Sequence, residues 1–239
     1  MTPDFAEIWS YLAKEPLIWL SATLVAYLLG DYLATRARRH PLVNPVLVAV
    51  LLLALLLWAT ATPYATYFEG AQFVHFLLGP ATVALALPLW RHANALRHAL
   101  LPALAALLVG AGVAIASALA LGKALGLPPA LLAALAPKSV TAPVAIGVAE
   151  TVGASPTLTA VLVILTGMTG AIMVTPLMQA LGIRDWRARG FAVGVAAHGL
   201  GTARALQVHP QAGAFAAIGM ALNAMLTAAC APYILRWFL

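Results

Sequence analysis

Charge is scarce in this chain. Only 8% of its 239 residues are Asp, Glu, Lys or Arg, while 63% are hydrophobic; a soluble domain carries roughly a quarter charged residues. The imbalance excludes a disordered chain, which needs polar sequence, and makes the bilayer the default solvent. Cysteine occurs once, as Cys230 in an apolar run, which excludes an intrachain disulfide and a cysteine-based metal site. A basic leader is also missing: Asp4, Glu7 and Glu15 precede the first apolar run and no small-residue cleavage site follows it, so that run is expected to be retained. Neither a cofactor nor a metal is expected.

What the chain has instead is a series of apolar runs near the ~20 residues that a helical crossing needs, uncharged except for Asp31 and Arg36 near the end of the first. They cover 16–36, 42–62, 71–90, 99–122, 157–181 and 212–235. The fold class expected is all-α: a polytopic helical membrane protein with six full transmembrane helices. The net charge of +6 would suggest nucleic acid in a soluble domain. Here the cations sit in short loops between apolar runs, so they report topology and no nucleic-acid partner is expected. Arg36, Arg38 and Arg39, then Arg91 and Arg97, then Arg184, Arg187 and Arg189 form three clusters, all placed on the cytoplasmic side by the positive-inside rule.

That rule constrains the segment from Pro128 to Val152. A full crossing there would strand the GIRDWRARG loop on the wrong face, whereas a segment that enters, turns at Lys138 to Thr141 and leaves by the same side keeps it cytoplasmic. Arms of about ten residues reach about 15 Å, half a bilayer. The stretch from Ala188 to Val208 has the same form, with short apolar arms around His198 to Thr202. Two interrupted, re-entrant helical hairpins in an inverted repeat are therefore expected, as units 99–152 and 157–210, within a core of 99–239 that follows N-terminal scaffold helices at 1–98. The rival reading is a pair of unwound crossing helices.

The motifs APKSVTAPVA and AAHGLGTARA lie sixty residues apart and carry the polar chemistry of the apolar core. Broken helices in paired positions of a repeat point to a transporter binding site, because freed amides and half-helix N-termini attract anions. Lys138 and Arg204 are the candidate anion ligands, since a cation at bilayer centre costs about 2.5–3.5 kcal/mol and needs a partner or a wet cavity. Ser139, Thr141 and Thr202 offer hydroxyls, and Gly199 and Gly201 would let backbone amides approach closely. His198 is either a proton-coupling group or a neutral structural imidazole; the bland alternative for Lys138 and Arg204 is snorkelling to an interface. Small residues at Gly110, Ala114, Ala118 and Gly122, and at Gly167 and Ala171, are read as helix packing in lipid, and Asn223 as part of a network between helices. An intramembrane hydrolase using Ser139 and His198 lacks an orienting acid, so no enzyme is expected.

The stretches PKSVTAPVAIGVAE, LTAVLVILTGMTGA, ARGFAVGVAAHGLGTARAL and LLGPATVALALPLW resemble the LrgB/CidB family over about 16–238. The resemblance implies a multi-pass protein of the bacterial plasma membrane. It implies transport of small carboxylates such as glycolate, glycerate, pyruvate or lactate, as in the family's plastid glycolate/glycerate translocators. It equally implies a holin-like or antiholin-like role in murein hydrolase export and cell lysis beside a small LrgA/CidA-type membrane partner. Besides the lipid bilayer and that partner, a second copy of the chain in a homodimer is expected.

Overall fold

The computed structural model describes residues 15–40, 43–77, 80, 83, 90, 97 and 100–238. Among these residues the elements are helices: α1 (Pro16–Arg36), α2 (Pro45–Ala59), α3 (Tyr64–Phe76), α4 (Leu100–Ala124), α5 (Pro129–Leu135), α6 (Ala142–Thr151), α7 (Pro156–Ala180), α8 (Trp186–Val208) and α9 (Pro210–Leu235). Proline marks most of the starts. Pro16, Pro45, Pro129, Pro156 and Pro210 each open a helix, where the absent N–H would have been unpaired anyway and the fixed φ suits the first turn.

Helices α1, α4, α7 and α9 are long and apolar enough to cross a membrane; at 1.5 Å per residue a 25-residue helix reaches about 37 Å, beyond the ~30 Å hydrocarbon core. The run expected over 42–62 folds instead as the 15-residue α2. Asn44 sets its start, its side-chain oxygen accepting from the N–H groups of Val46 (2.9 Å) and Leu47 (3.3 Å), and Ala61 at φ 48° closes its end. The run expected over 71–90 lies largely outside the described residues, α3 covering its beginning.

The chain divides into two compact units, Met1–Ala84 and Leu85–Leu239; the division expected at 98–99 falls outside the described residues. In the first unit α1 packs closely on both neighbours through glycine: a Cβ on Gly30 would strike the Pro45 backbone and one on Gly70 the Pro16 backbone. Trp19 is fully buried there and meets Tyr67 edge-on, ring centroids 5.9 Å apart.

The second unit is organised around α9. In its apolar window 56% is buried, against 22–28% in α1, α4 and α7, so α9 is the enclosed helix while the others keep much apolar surface outward, as Leu101, Leu108 and Leu121 of α4 do. Helices α5 and α6 form a first hairpin. Leu127 just before α5, Leu132 within it, Val148 and Ala149 late in α6 and Val152 just after it share one apolar cluster with Ile115 and Leu119 of α4, Leu158 and Leu162 at the start of α7, and Ala231 and Leu235 at the end of α9. Both outer ends of this hairpin thus sit at the N-terminal end of α7, and its turn at 136–141 reaches inward.

A second hairpin is hidden within α8. Ala197 (φ −133°, ψ 19°) and His198 (φ 42°, ψ −134°) leave the helical path and the chain doubles back, so that Trp186 at the start of α8 stacks on His209 just past its end, centroids 4.8 Å apart and planes 4° from parallel. Val174, near the C-terminal end of α7, packs with Trp186, Ala205 and Ala212. The two hairpins therefore enter from opposite ends of α7. The outgoing arm of α8 lies tight on α9: a Cβ on Gly190 would come within 2.7 Å of the Ala212 carbonyl carbon, and one on Gly194 within 2.8 Å of that of Ala216. Small residues four apart on both helices let the backbones touch, the packing that lipid favours.

Candidate functional site at the two helix breaks

The first break follows from proline. A helix continuing through Ser139 would need the N–H of residue 143, and Pro143 has none. The chain turns over 136–141 and restarts at Thr141, which takes the N-cap position of α6 without a side-chain bond to the first turn. Ser139 is buried. Lys138 is half-buried and its Nζ donates over a long 3.5 Å to Ser139 Oγ; among the described residues no carboxylate reaches it.

The second break sits at Ala197–His198, at the leading edge of the expected window, and Gly199 to Thr202 are already back in helix. The left-handed conformation falls on His198, a residue that strains there by about 1–3 kcal/mol. Its imidazole is buried and Nε2 donates to the Val163 carbonyl of α7 at 2.9 Å. Gly167, one turn along α7, makes room: a Cβ would lie 2.5 Å from His198 Cε1 and 2.7 Å from Nε2. Thr202, buried, donates to the His198 carbonyl at 2.8 Å and so secures the restarting helix. Of the two candidate glycines, Gly201 is closed in by Val193 and Ala197, where a Cβ would meet side-chain atoms at 2.8 and 2.7 Å. Gly199 faces open space. Arg204 is half-buried on the returning arm of α8.

The tips converge at mid-length of α7 and α9. Val163 packs its side chain against Val140 and Ala145 of the first hairpin while its carbonyl holds His198 of the second. On the other side Asn223 of α9, buried, donates from Nδ2 to the carbonyls of Ser139 (3.3 Å) and Val195 (2.9 Å). Its Oδ1 accepts from Thr227 at 3.1 Å, so the partners fix which way round the amide sits. The network reading of Asn223 holds, and its partners are a carbonyl in the first break and one just ahead of the second. On α4 the buried stripe runs through Ala103, Leu107, Ala111, Ile115, Leu119 and Gly122, with Gly110, Ala114 and Ala118 at its margin; of the small residues read as packing sites, Gly122 lies against Leu132 and Gly110 against Val195.

A cavity of about 580 Å³ runs beside the second hairpin, between α4 at Ala106 and Gly110 and α8 at Ala192 and Ala196. Its mouth carries Asp185 and Arg187, paired at 2.7 Å. Hydrogen bonding from the Arg187 side chain holds the Asp185 carboxyl down at about 2. Ala196, also in the lining, immediately precedes the break in sequence.

A chain with four such spans and two broken hairpins meeting midway between opposite ends of one helix is a multi-pass membrane protein. It belongs to the LrgB-like family, whose profile matches residues 23–237, and it is accordingly a bacterial membrane protein. Similar proteins include the Staphylococcus epidermidis holin-like protein CidB, 28% identical over 94% of this chain and 97% of that one. The Staphylococcus aureus holin-like protein CidB is 29% identical with the same coverage, and the uncharacterised protein YxaC of Bacillus subtilis is 34% identical over 93% of this chain and 96% of its own. No solved structure matches the chain.

Proposed function

We propose that this protein is a membrane transporter of small monocarboxylates of the glycolate, glycerate, pyruvate or lactate class, not an enzyme, and that the anion binds between the two helix breaks near the bilayer midplane. The observation that carries the reading is the meeting of both tips at Val163 and Asn223 with the half-buried Lys138 in one of them. Non-helical backbone at membrane depth persists only where protein or a wet cavity satisfies it, and paired broken helices are where carriers bind. In this reading the hairpins are re-entrant, the units 99–152 and 157–210 are inverted repeats among six crossings, and the carrier works as a homodimer. Lys138 supplies a point charge and Arg204 a bidentate grip on the carboxylate. Thr141 offers a hydroxyl, and Ser139, His198, Gly199, Gly201 and Thr202 shape the pocket.

The test is uptake of labelled glycolate and pyruvate into liposomes holding the purified protein. Lys138→Ala and Arg204→Ala should abolish uptake while the variants still insert. Unchanged uptake in both removes the site assignment.

A second reading is favoured by the holin-like names of the relatives: we propose as the alternative a holin-like protein, with action on murein hydrolase export beside a small LrgA/CidA-type membrane partner as its specific form. Leakage of large dyes from the same liposomes, dependent on that partner, would support it over a carrier.

A further inference from the structure

We infer that Asn223 is a positioning residue that couples the two breaks, so that the tips of the hairpins hold and release as one unit. The argument begins with what each break leaves behind. Pro143 deprives the Ser139 carbonyl of its helical donor, and the turn at Ala197–His198 carries the chain off the helical path just past Val195. Two buried carbonyls from hairpins that enter from opposite ends then need donors from elsewhere. A primary amide has two N–H groups, and the Nδ2 of Asn223 gives its bonds to these two carbonyls, at 3.3 and 2.9 Å.

The arrangement is exclusive. Thr227 donates to Oδ1, so rotation of the amide would turn an acceptor toward a carbonyl and break that tether as well. Withdrawing either tip strands one donor of a buried amide and one carbonyl. Turning the amide to follow the departing tip weakens its bond to the other. No other side chain is bonded to both tips among the described hydrogen bonds; Val163 reaches them by one side-chain contact and one carbonyl. The coupling does not depend on what is carried, so it stands or falls separately from the transport reading.

The experiment is amide hydrogen exchange of the full chain in detergent micelles, followed over peptides spanning 136–142 and 195–201, with α1 as an internal reference. Asn223→Leu keeps the branching and heavy-atom count of the side chain and deletes both donors. Exchange should accelerate in both segments together by about tenfold, the scale of stranding a buried acceptor, and Asn223→Ala should do the same. Acceleration in one segment alone overturns the inference. So does native protection in the Leu variant, which would make packing, not the bonds, the reason for the residue. Should the position-223 variants fail to fold, Thr227→Val frees the amide to rotate while leaving its donors. It is then expected to raise exchange in both segments, and a rise in one or in neither overturns the coupling.

Discussion

Gly167→Ala separates two readings of the small-residue stripe on α7. In an open helical position, replacing glycine by alanine stabilises by about 0.5–1 kcal/mol, because glycine loses more backbone freedom on folding. Gly112 of α4 and Gly147 of α6 are such positions: a Cβ at either meets nothing within 4 Å. At Gly167 the same methyl would lie 2.5 Å from His198 Cε1 and 2.8 Å from Leu200 Cδ1. Overpacking of that kind costs about 1–3 kcal/mol, and displacing the imidazole from the Val163 carbonyl adds about 1 kcal/mol. After the helical gain is subtracted, a net loss of about 1–3 kcal/mol remains. For a chain of this size that lowers the melting temperature by roughly 2–10 °C. Thermal unfolding in micelles of the parent, Gly112→Ala, Gly147→Ala and Gly167→Ala provides the comparison, and opposite signs are the expected result. A Gly167→Ala protein that melts with the two controls would show that the ring does not rest against this turn, and the seating of the second tip on α7 would be refuted.

Gly194→Ala should be worse than Gly167→Ala, because its Cβ would meet the backbone of Ala216, which cannot rotate away; a drop in melting temperature larger than that of Gly167→Ala is the check. Asn44→Ala removes the cap that satisfies Val46 and Leu47 and should cost about 1 kcal/mol, measured as faster amide exchange in the first turn of α2. For Asp185 the pH sign runs one way: its folded value of about 2 lies below the ~3.9 of a free carboxyl. The stabilisation is complete above about pH 4 and disappears as pH falls through about 2. The stability difference between the parent and Asp185→Asn should therefore shrink on acidification from pH 5 toward pH 2, and a difference that grows over that range would contradict the pairing with Arg187.

How much of this was readable in the sequence depends on the residue. Both helix breaks were, because proline, glycine and a basic side chain within a run of Leu, Ala and Val do not suit a continuous lipid-facing helix. Lys138, Ser139 and Thr141 do lie at the first turn, and His198 at the second. The buried face of α4 was readable only in part: in lipid both faces of a helix are apolar, so hydropathy does not mark the inner one, and of the small residues at Gly110, Ala114, Ala118 and Gly122 the last is enclosed while the first three flank a stripe through Ala111, Ile115 and Leu119. The tightest small-residue contact, Gly190 and Gly194 on Ala212 and Ala216, was missed although its spacing of four was there to be seen. The partners of Asn223 stand 84 and 28 residues away, a separation that no local pattern reports.

Glycine does not provide the conformational freedom at the second break. Gly199 and Gly201 are helical, while the positive φ falls on His198. If the turn alone mattered, glycine would make it without the strain of about 1–3 kcal/mol, and this segment is rich in glycine on either side. The side chain must therefore be the reason for the residue. The imidazole delivers a hydrogen bond to α7 at the residue whose side chain meets the other tip, and Thr202 returns a bond to the carbonyl that the turn exposes. His198→Gly tests this: it relieves the backbone but empties the seat. Its fold should hold about as well as that of His198→Ala or better, while exchange at 195–201 rises in both. A Gly variant as protected there as the parent would mean that the turn needed only a flexible residue.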